Sequence, residues 1–251
     1  MSPSAPPTAA APSLFHRLYV LVAGRHPNLR PWHFQWLAGT PLYAVLRPLL
    51  GPVEGSVLDV GCGYKPYRAW VPGATRYFGI DVVPGPEVDA VIEPGEPWPV
   101  ADGEFDVVVC TQVLEHVGDL ELTVDELVRA VRPGGEALIT VPFIFGEHNS
   151  PHDYRRFSRH GVRRLLEDRF EIIGVYPHGG IGSTLGSILL GWTYDAMPGS
   201  AGGRAAIGLL LPAWLGFCLV VNLLGWIGDR IDRTGLYYGN VLIHVRRAGA
   251  A

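Results

Sequence analysis

The chain is short of cysteine, of lysine and of charge. Its three cysteines, Cys62, Cys110 and Cys218, are too few and too scattered for a disulfide framework or a cysteine zinc site, and they fit a reducing compartment. Charged residues make up 18% of the sequence where a quarter is usual. Twenty basic against 24 acidic residues give a net charge of −4, so the basic excess of a nucleic-acid-binding protein is missing and nucleic acid is not an expected partner. Lys65 is the single lysine, a bias that reads as base composition rather than mechanism. What the chain has instead is apolar residues, 48% over 251 positions. That excludes a disordered or fibrous protein and suits one large domain, or one domain with an insertion.

The charge deficit is local. Between Ile172 and Gly228 the charged residues are Asp195 and Arg204, and Ala205 to Gly228 is a run of 24 without any. At the other end, residues 1–13 are Pro/Ala/Ser-rich, without a basic start or an apolar core, and are expected to be a disordered tail rather than a signal. Residues 14–55 are expected to form lead-in helices, over Leu14 to Gly24 and Pro41 to Leu50, with Trp32, Phe34 and Trp36 packing between them.

From residue 56 onward strands alternate with helices. Apolar runs predict strands at Ser56 to Val60, Tyr77 to Val83, Phe105 to Cys110, Glu136 to Pro142, Phe170 to Tyr176 and Tyr237 to Arg246. An amphipathic helix is expected over Asp119 to Val131, stopped by Pro133-Gly134-Gly135, and a second from an N-cap at Ser158 through Asp168. The alternation predicts an α/β, Rossmann-like doubly wound sheet. In such a sheet ligands bind outside the carboxyl ends of the strands, so the residues that follow each strand matter most.

The first strand runs into Asp59-Val60-Gly61-Cys62-Gly63-Tyr64-Lys65-Pro66. Gly61 and Gly63 permit a sharp turn and close approach of a ligand to the backbone. A dinucleotide site would want a third glycine where Pro66 stands, and proline offers no N–H to a phosphate. An S-adenosylmethionine site needs only the turn, an acid near the methionine ammonium and an acid near the ribose. Asp59 and Asp81, the latter closing the second strand, supply both.

These strings, VLDVGCG, YFGIDVV, WPVADGEFDVVVCTQVLEHV and ELVRAVRPGGEALITVPF, resemble the class I S-adenosylmethionine-dependent methyltransferases of the type 11 group across residues 56–143. The resemblance implies a seven-stranded sheet, mostly parallel with an antiparallel last strand, filling residues 56–251 around a hydrophobic insertion at 180–235. It implies Asp59, Gly61 and Gly63 around the methionine portion, Asp81 on the ribose, Ile92 and Glu93 beside the adenine, and Cys110 and Thr111 lining the cleft. GCGYKPYR and PHDYRRFSRHGVRRLLE also resemble bacterial methyltransferases that accompany surface-polysaccharide assembly.

Methyl transfer from a sulfonium is an in-line displacement, so alignment is the main requirement, with a base if the acceptor is a hydroxyl. His116, His152 and Asp153 are the candidate catalytic residues, with His148 a further histidine on the same side. Some similar quinone O-methyltransferases bind a metal through E-x-x-E-H. Here Gln112 replaces the first acid and the histidine spacing fits no established zinc motif, so no metal is expected. Arg155, Arg156, Arg159, Arg163, Arg164 and Arg169 form either a solvated helix face or a basic rim for an anionic acceptor.

Ala205 to Gly228 is long enough to cross a bilayer, which takes roughly 20 apolar residues. The last two strands flank it and pair in one sheet, so it must leave and return on one side. Three forms satisfy this: a hairpin with Ile181 to Met197 as first leg, an in-plane helix broken at Pro212, or a buried cap. The expected protein is a cytoplasmic methyltransferase at the inner face of the cell membrane, O-methylating a glycan, lipid-linked sugar or other amphipathic small molecule. The alternatives are quinone or lipid methylation, or a non-catalytic, membrane-tethered cofactor-binding module. Oligomeric state is not legible.

Overall fold

Near-continuous valine and leucine make strands that need cover on both faces, and the chain supplies it. In the computed structural model residues 14–196 and 201–249 are described, with side chains described for 18–196 and 211–249; the expected tail at 1–13 lies outside them. The lead-in comprises α1 (Leu14–Ala23), a short hairpin of β1 (Gly24–Arg25) and β2 (Asn28–Leu29), and α2 (Trp36–Leu50). The α/β unit follows as β3 (Glu54–Val60), β4 (Gly73–Asp81), β5 (Ala90–Val91), β6 (Phe105–Thr111), α3 (Leu120–Ala130), β7 (Val131–Pro142), α4 (Arg159–Leu166), β8 (Glu171–His178), α5 (Ile181–Asp195), α6 (Ala201–Ile231) and β9 (Asn240–Arg246).

Seven strands form one sheet in the order β5-β4-β3-β6-β7-β9-β8. β9 runs antiparallel to both neighbours, between β7 and β8, while β3 to β7 pair in parallel. The two-residue period of the strands sorts their side chains. Val57, Val107, Val109, Leu138 and Leu242 meet Leu46 and Leu50 of α2 on one face. Leu58, Val108, Cys110, Ile139 and Ile243 meet Leu127 of α3 and Leu166 of α4 on the other.

Several boundaries differ from the sequence reading. α2 begins at Trp36 and continues through Pro41 and Pro48. An interior proline costs ~3 kcal/mol, and burial of Leu37, Leu42, Tyr43, Leu46 and Leu50 along the helix offsets it. α3 is capped by Asp119, whose carboxylate accepts from Leu122 N at 3.0 Å, and ends at Ala130. Pro133-Gly134-Gly135 therefore lies within β7. Ser158 caps α4 as expected, accepting from Gly161 N at 3.1 Å, and that helix ends at Leu166.

The apolar insertion forms α5 and α6, which pack against each other. α6 passes through Pro212 as one helix, so the expected break there is absent. The base of the pair is locked: Asp229 accepts from Ser183 N at 2.8 Å, and Asn222 Nδ2 donates to Pro31 O and His33 O at 2.6 and 2.9 Å. β8 ends and β9 begins at the paired residues His178 and Asn240, and Asn240 also pairs with Pro142 at the carboxyl end of β7. The pair therefore leaves and returns at the end of the sheet where β7 terminates. Away from that base, Leu185 and Trp192 of α5 and Leu219, Val220, Leu223, Leu224 and Ile227 of α6 are exposed.

Candidate active site

The loops after β3, β4, β6 and β7 meet at one end of the sheet. Gly61 N and Cys62 N both donate to Ile80 O, at 2.9 and 3.1 Å, which ties the glycine loop to β4. Gly61 has φ +67, and a Cβ there would stand 2.5 Å from Val113 Cγ2 in the loop after β6. Gly63 has φ +50, and a Cβ there would meet nothing within 4 Å, so this part of the backbone faces open space. Its N–H donates to Asp81 Oδ2 at 2.9 Å, and Val83 N donates to Oδ1 at 2.9 Å. Two amides thus aim the Asp81 carboxylate beside the loop.

Asp59 is buried and accepts a 2.7 Å hydrogen bond from the Tyr77 hydroxyl. Burial pushes its carboxyl up to about 7, against the opposing pull of that hydroxyl and of Lys65. Lys65 is buried too and pairs with Asp89 at 2.5 Å. The lead-in hairpin closes over this loop: Tyr64 OH donates to His26 O at 3.0 Å and the Arg25 guanidinium lies 4.3 Å from the Tyr64 ring. A cleft of about 570 Å³ lies there, lined among others by Val20, Gly24, Tyr64 and Pro66.

Ile92 is half-buried, and its N–H donates to Asp81 O at 3.0 Å; Glu93 is exposed beside it. Thr111 is half-buried at the end of β6. Cys110 is a correction: it is fully buried in the core, on the face covered by α3 and α4, and its side chain does not line the cleft. Burial also pushes its thiol far up. The alternation along β6 puts adjacent residues on opposite faces, so one of the expected pair had to point inward.

The polar cluster begins two residues beyond Val113. Glu115 is fully buried and neither carboxylate oxygen has a hydrogen-bond partner; burial pushes it up to about 7. Its Oε1 is 3.8 Å from His116 Nε2 and 3.9 Å from His148 Nε2. His116 Nδ1 is bonded to His152 O at 2.6 Å and His148 Nδ1 to Gly146 O at 3.1 Å. In each neutral ring Nδ1 therefore carries the proton and Nε2 offers a lone pair toward Glu115.

His152 and Asp153 stand behind this cluster. The His152 ring bonds the Tyr154 hydroxyl at 2.9 Å, and its backbone carbonyl orients His116. Arg156 clamps Asp153 at 2.6 and 2.7 Å, while His148 N donates to it at 2.9 Å. The Arg156 guanidinium holds that carboxyl well below the usual range, so Asp153 positions the loop and is a poor proton acceptor. Sequence reasoning meets Glu115 and His116 only within the incomplete E-x-x-E-H pattern and gives His148 no partner; the adjacency of β6 and β7 brings Glu115 and His148, 33 residues apart, together. The six arginines are engaged within the chain, Arg155 on Val117 O and Gly118 O, Arg159 on Gly235 O, Arg163 and Arg164 on Glu167, and Arg169 on Glu121 and Asp125. With Arg156 on Asp153, the rim is largely neutralised in place.

Residues 58–139, from β3 into β7, match the methyltransferase domain family. Over those residues, about a third of the chain, the match is to a methyltransferase domain. Human thiol S-methyltransferase TMT1A is 34% identical over 126 residues, which is 43% of this chain and 48% of that protein. The tRNA U34 carboxymethyltransferase of Hahella chejuensis (strain KCTC 2396) is 30% identical over 136 residues, 47% of this chain and 40% of its own length. The chain thus spans less than half the length of these relatives. The phosphoethanolamine N-methyltransferase 2 of Haemonchus contortus, solved in complex with S-adenosyl-L-methionine, superposes with a TM-score of 0.52 at 16% identity, over 94% of this chain and 60% of that one. That likeness is one of fold. The residues of this methyltransferase domain also suit S-adenosylmethionine: a backbone turn open on one side at Gly63, a carboxylate aimed by two amides at Asp81, and a buried acid at Asp59.

Proposed function

We propose that the chain is an S-adenosylmethionine-dependent methyltransferase that methylates an oxygen of a glycan, a lipid-linked sugar or another amphipathic small molecule at a membrane surface. The observation that carries the reading is the Gly63–Asp81 pair at the same end of the parallel strands as the loops that hold His116 and His148. Gly61 and Gly63 hold the backbone turn around the methionine portion, Asp81 accepts the ribose hydroxyls, and Ile92 and Glu93 flank the adenine. The cofactor supplies an electrophilic methyl group on a sulfonium. Gly61 touches Val113, and Val113 O receives His116 N, so one short turn couples the cofactor loop to the acceptor cluster. There the imidazole lone pairs receive the hydroxyl of the acceptor and its proton.

What supports a membrane acceptor is the apolar pair α5–α6, rooted at the same end of the sheet as the cluster. Leu211–Ile231 is, by length and composition, sufficient to cross a bilayer, and 28% of its apolar window is buried within the chain. Trp226 lies under Arg230 at 3.8 Å, an aromatic–cation pair of the kind that sits at headgroup level. A resemblance to polysaccharide-associated methyltransferases points the same way. The test is transfer of tritium from methyl-labelled cofactor into membrane extracts, with the labelled fraction separated into glycolipid, lipid, small thiol and RNA. Label in the glycolipid or another amphipathic fraction supports the reading; label confined to RNA or thiols, or no transfer, overturns it.

A further inference from the structure

Glu115 poses a chemical problem that the methyl-transfer reading leaves open. A carboxylate removed from water with no hydrogen-bond donor costs several kcal/mol unless something compensates it, and Glu115 is fully buried with both oxygens unpartnered. What faces it is two imidazole Nε2 atoms, and the three ligand atoms of Glu115, His116 and His148 all lie within 4.8 Å of one another. Each histidine has its other nitrogen fixed on a backbone carbonyl, which is the outer-shell arrangement that orients metal-binding imidazoles. The loops that carry them are stapled: Tyr154 N donates to Glu115 O at 2.8 Å, and Asp153, clamped by Arg156, accepts from His148 N.

We propose that Glu115, His116 and His148 form a divalent transition-metal site, of the zinc class, with an open coordination position on the side where the two histidines are partly exposed. A cation would neutralise the orphaned carboxylate and use lone pairs that no other group engages. Two imidazoles and one carboxylate suit zinc better than magnesium, which prefers an all-oxygen octahedron. Ligand atoms on a tetrahedral zinc ion stand about 3.4 Å apart, so the Glu115–histidine separations of 3.8 and 3.9 Å need to close by about half an ångström and the two imidazole nitrogens, within 4.8 Å of each other, by up to about 1.4 Å. His116 and His148 keep partly exposed side chains, which leaves an entry path and room for a fourth ligand such as water or a hydroxyl. This donor set is not E-x-x-E-H: Gln112 holds the position of the first acid and donates to Thr140 Oγ1 at 3.1 Å, while the third ligand comes from the loop after β7. With the metal bound, the His116 and His148 lone pairs are taken up by it, so a hydroxyl at the open position would be activated by the metal in place of those imidazoles, a role not required for metal binding.

The test uses the full chain, stripped with a chelator and titrated with Zn²⁺ by calorimetry and with Co²⁺ by visible absorption. The expected result is one equivalent bound, a tetrahedral or five-coordinate Co²⁺ spectrum, and at least tenfold weaker binding in Glu115→Gln and in His148→Asn. His160→Asn, at an exposed position of α4, leaves binding unchanged. Circular dichroism and cofactor binding report folding, and His148→Asn decides if Glu115→Gln fails to fold. No stoichiometric binding by the parent, or equal affinity in parent and His148→Asn, overturns the proposal. Because methyl transfer is not the readout, loss of the metal site and loss of the enzymatic reading are seen separately.

Discussion

Replacing Leu223 and Leu224 together by asparagine isolates the contribution of the exposed face of α6. The two side chains are 52% and 62% exposed. Full burial of a leucine is worth roughly 2 kcal/mol, so seating the exposed half of each in lipid contributes about 1 kcal/mol, and the pair about 2 kcal/mol. That corresponds to at least a roughly 30-fold fall in membrane partitioning, at 1.4 kcal/mol per decade, before the cost of placing two amides in lipid is added. The assay is sedimentation of the full chain with sucrose-loaded vesicles of neutral and of anionic composition, with the denaturation midpoint measured in parallel. Because neither residue belongs to the buried contact with α5 or the lead-in, the midpoint should change little. A parent that stays in the supernatant, or a variant that sediments as the parent does, refutes the lipid-facing assignment of this surface.

Gly61→Ala should cost about 2 kcal/mol, from the left-handed backbone and the overlap with Val113, and lower Tm by about 6 °C. Adding Val113→Ala should restore part of that loss, and no recovery would place the strain elsewhere. Asp106 supplies a pH prediction. Ser56 N and then Arg132 hold its carboxyl down at about 2, below its ordinary 3.8. Its folded value is depressed, so its contribution is complete above the unfolded value and is lost as pH falls from about 4 toward 2. The side chain is 31% exposed, and the shift is worth at most about 2 kcal/mol. Urea midpoints should therefore fall less steeply in Asp106→Asn than in the parent over that range; parallel curves would contradict the assignment.

The sheet was legible because parallel strands covered on both sides must be continuously apolar, as Val107 to Cys110 are, and the turn after β3 because Gly61 and Gly63, both with positive φ, stand in local spacing at the strand end. Two-residue β5 has too little pattern to read. Pro41 and Pro212 misled in the other direction: local chemistry argues for a break, while in α2 burial along the helix outweighs it. Cys110 failed as a cleft residue because adjacency in sequence is opposition in a strand. The Glu115–His148 encounter has no local signature at all; it depends on β6 and β7 being neighbours and on the loop that Asp153 and Arg156 hold in place.

The measurement that bears most directly on the central claim is calorimetric titration of the full chain with S-adenosylmethionine, beside Asp81→Ala. The parent should bind one equivalent and should not bind NAD. If Asp81 accepts from the ribose hydroxyls as proposed, removing it should cost about 2 kcal/mol, roughly 30-fold in Kd. A parent that fails to bind the cofactor, or an Asp81→Ala chain that binds it as tightly as the parent, would contradict the account.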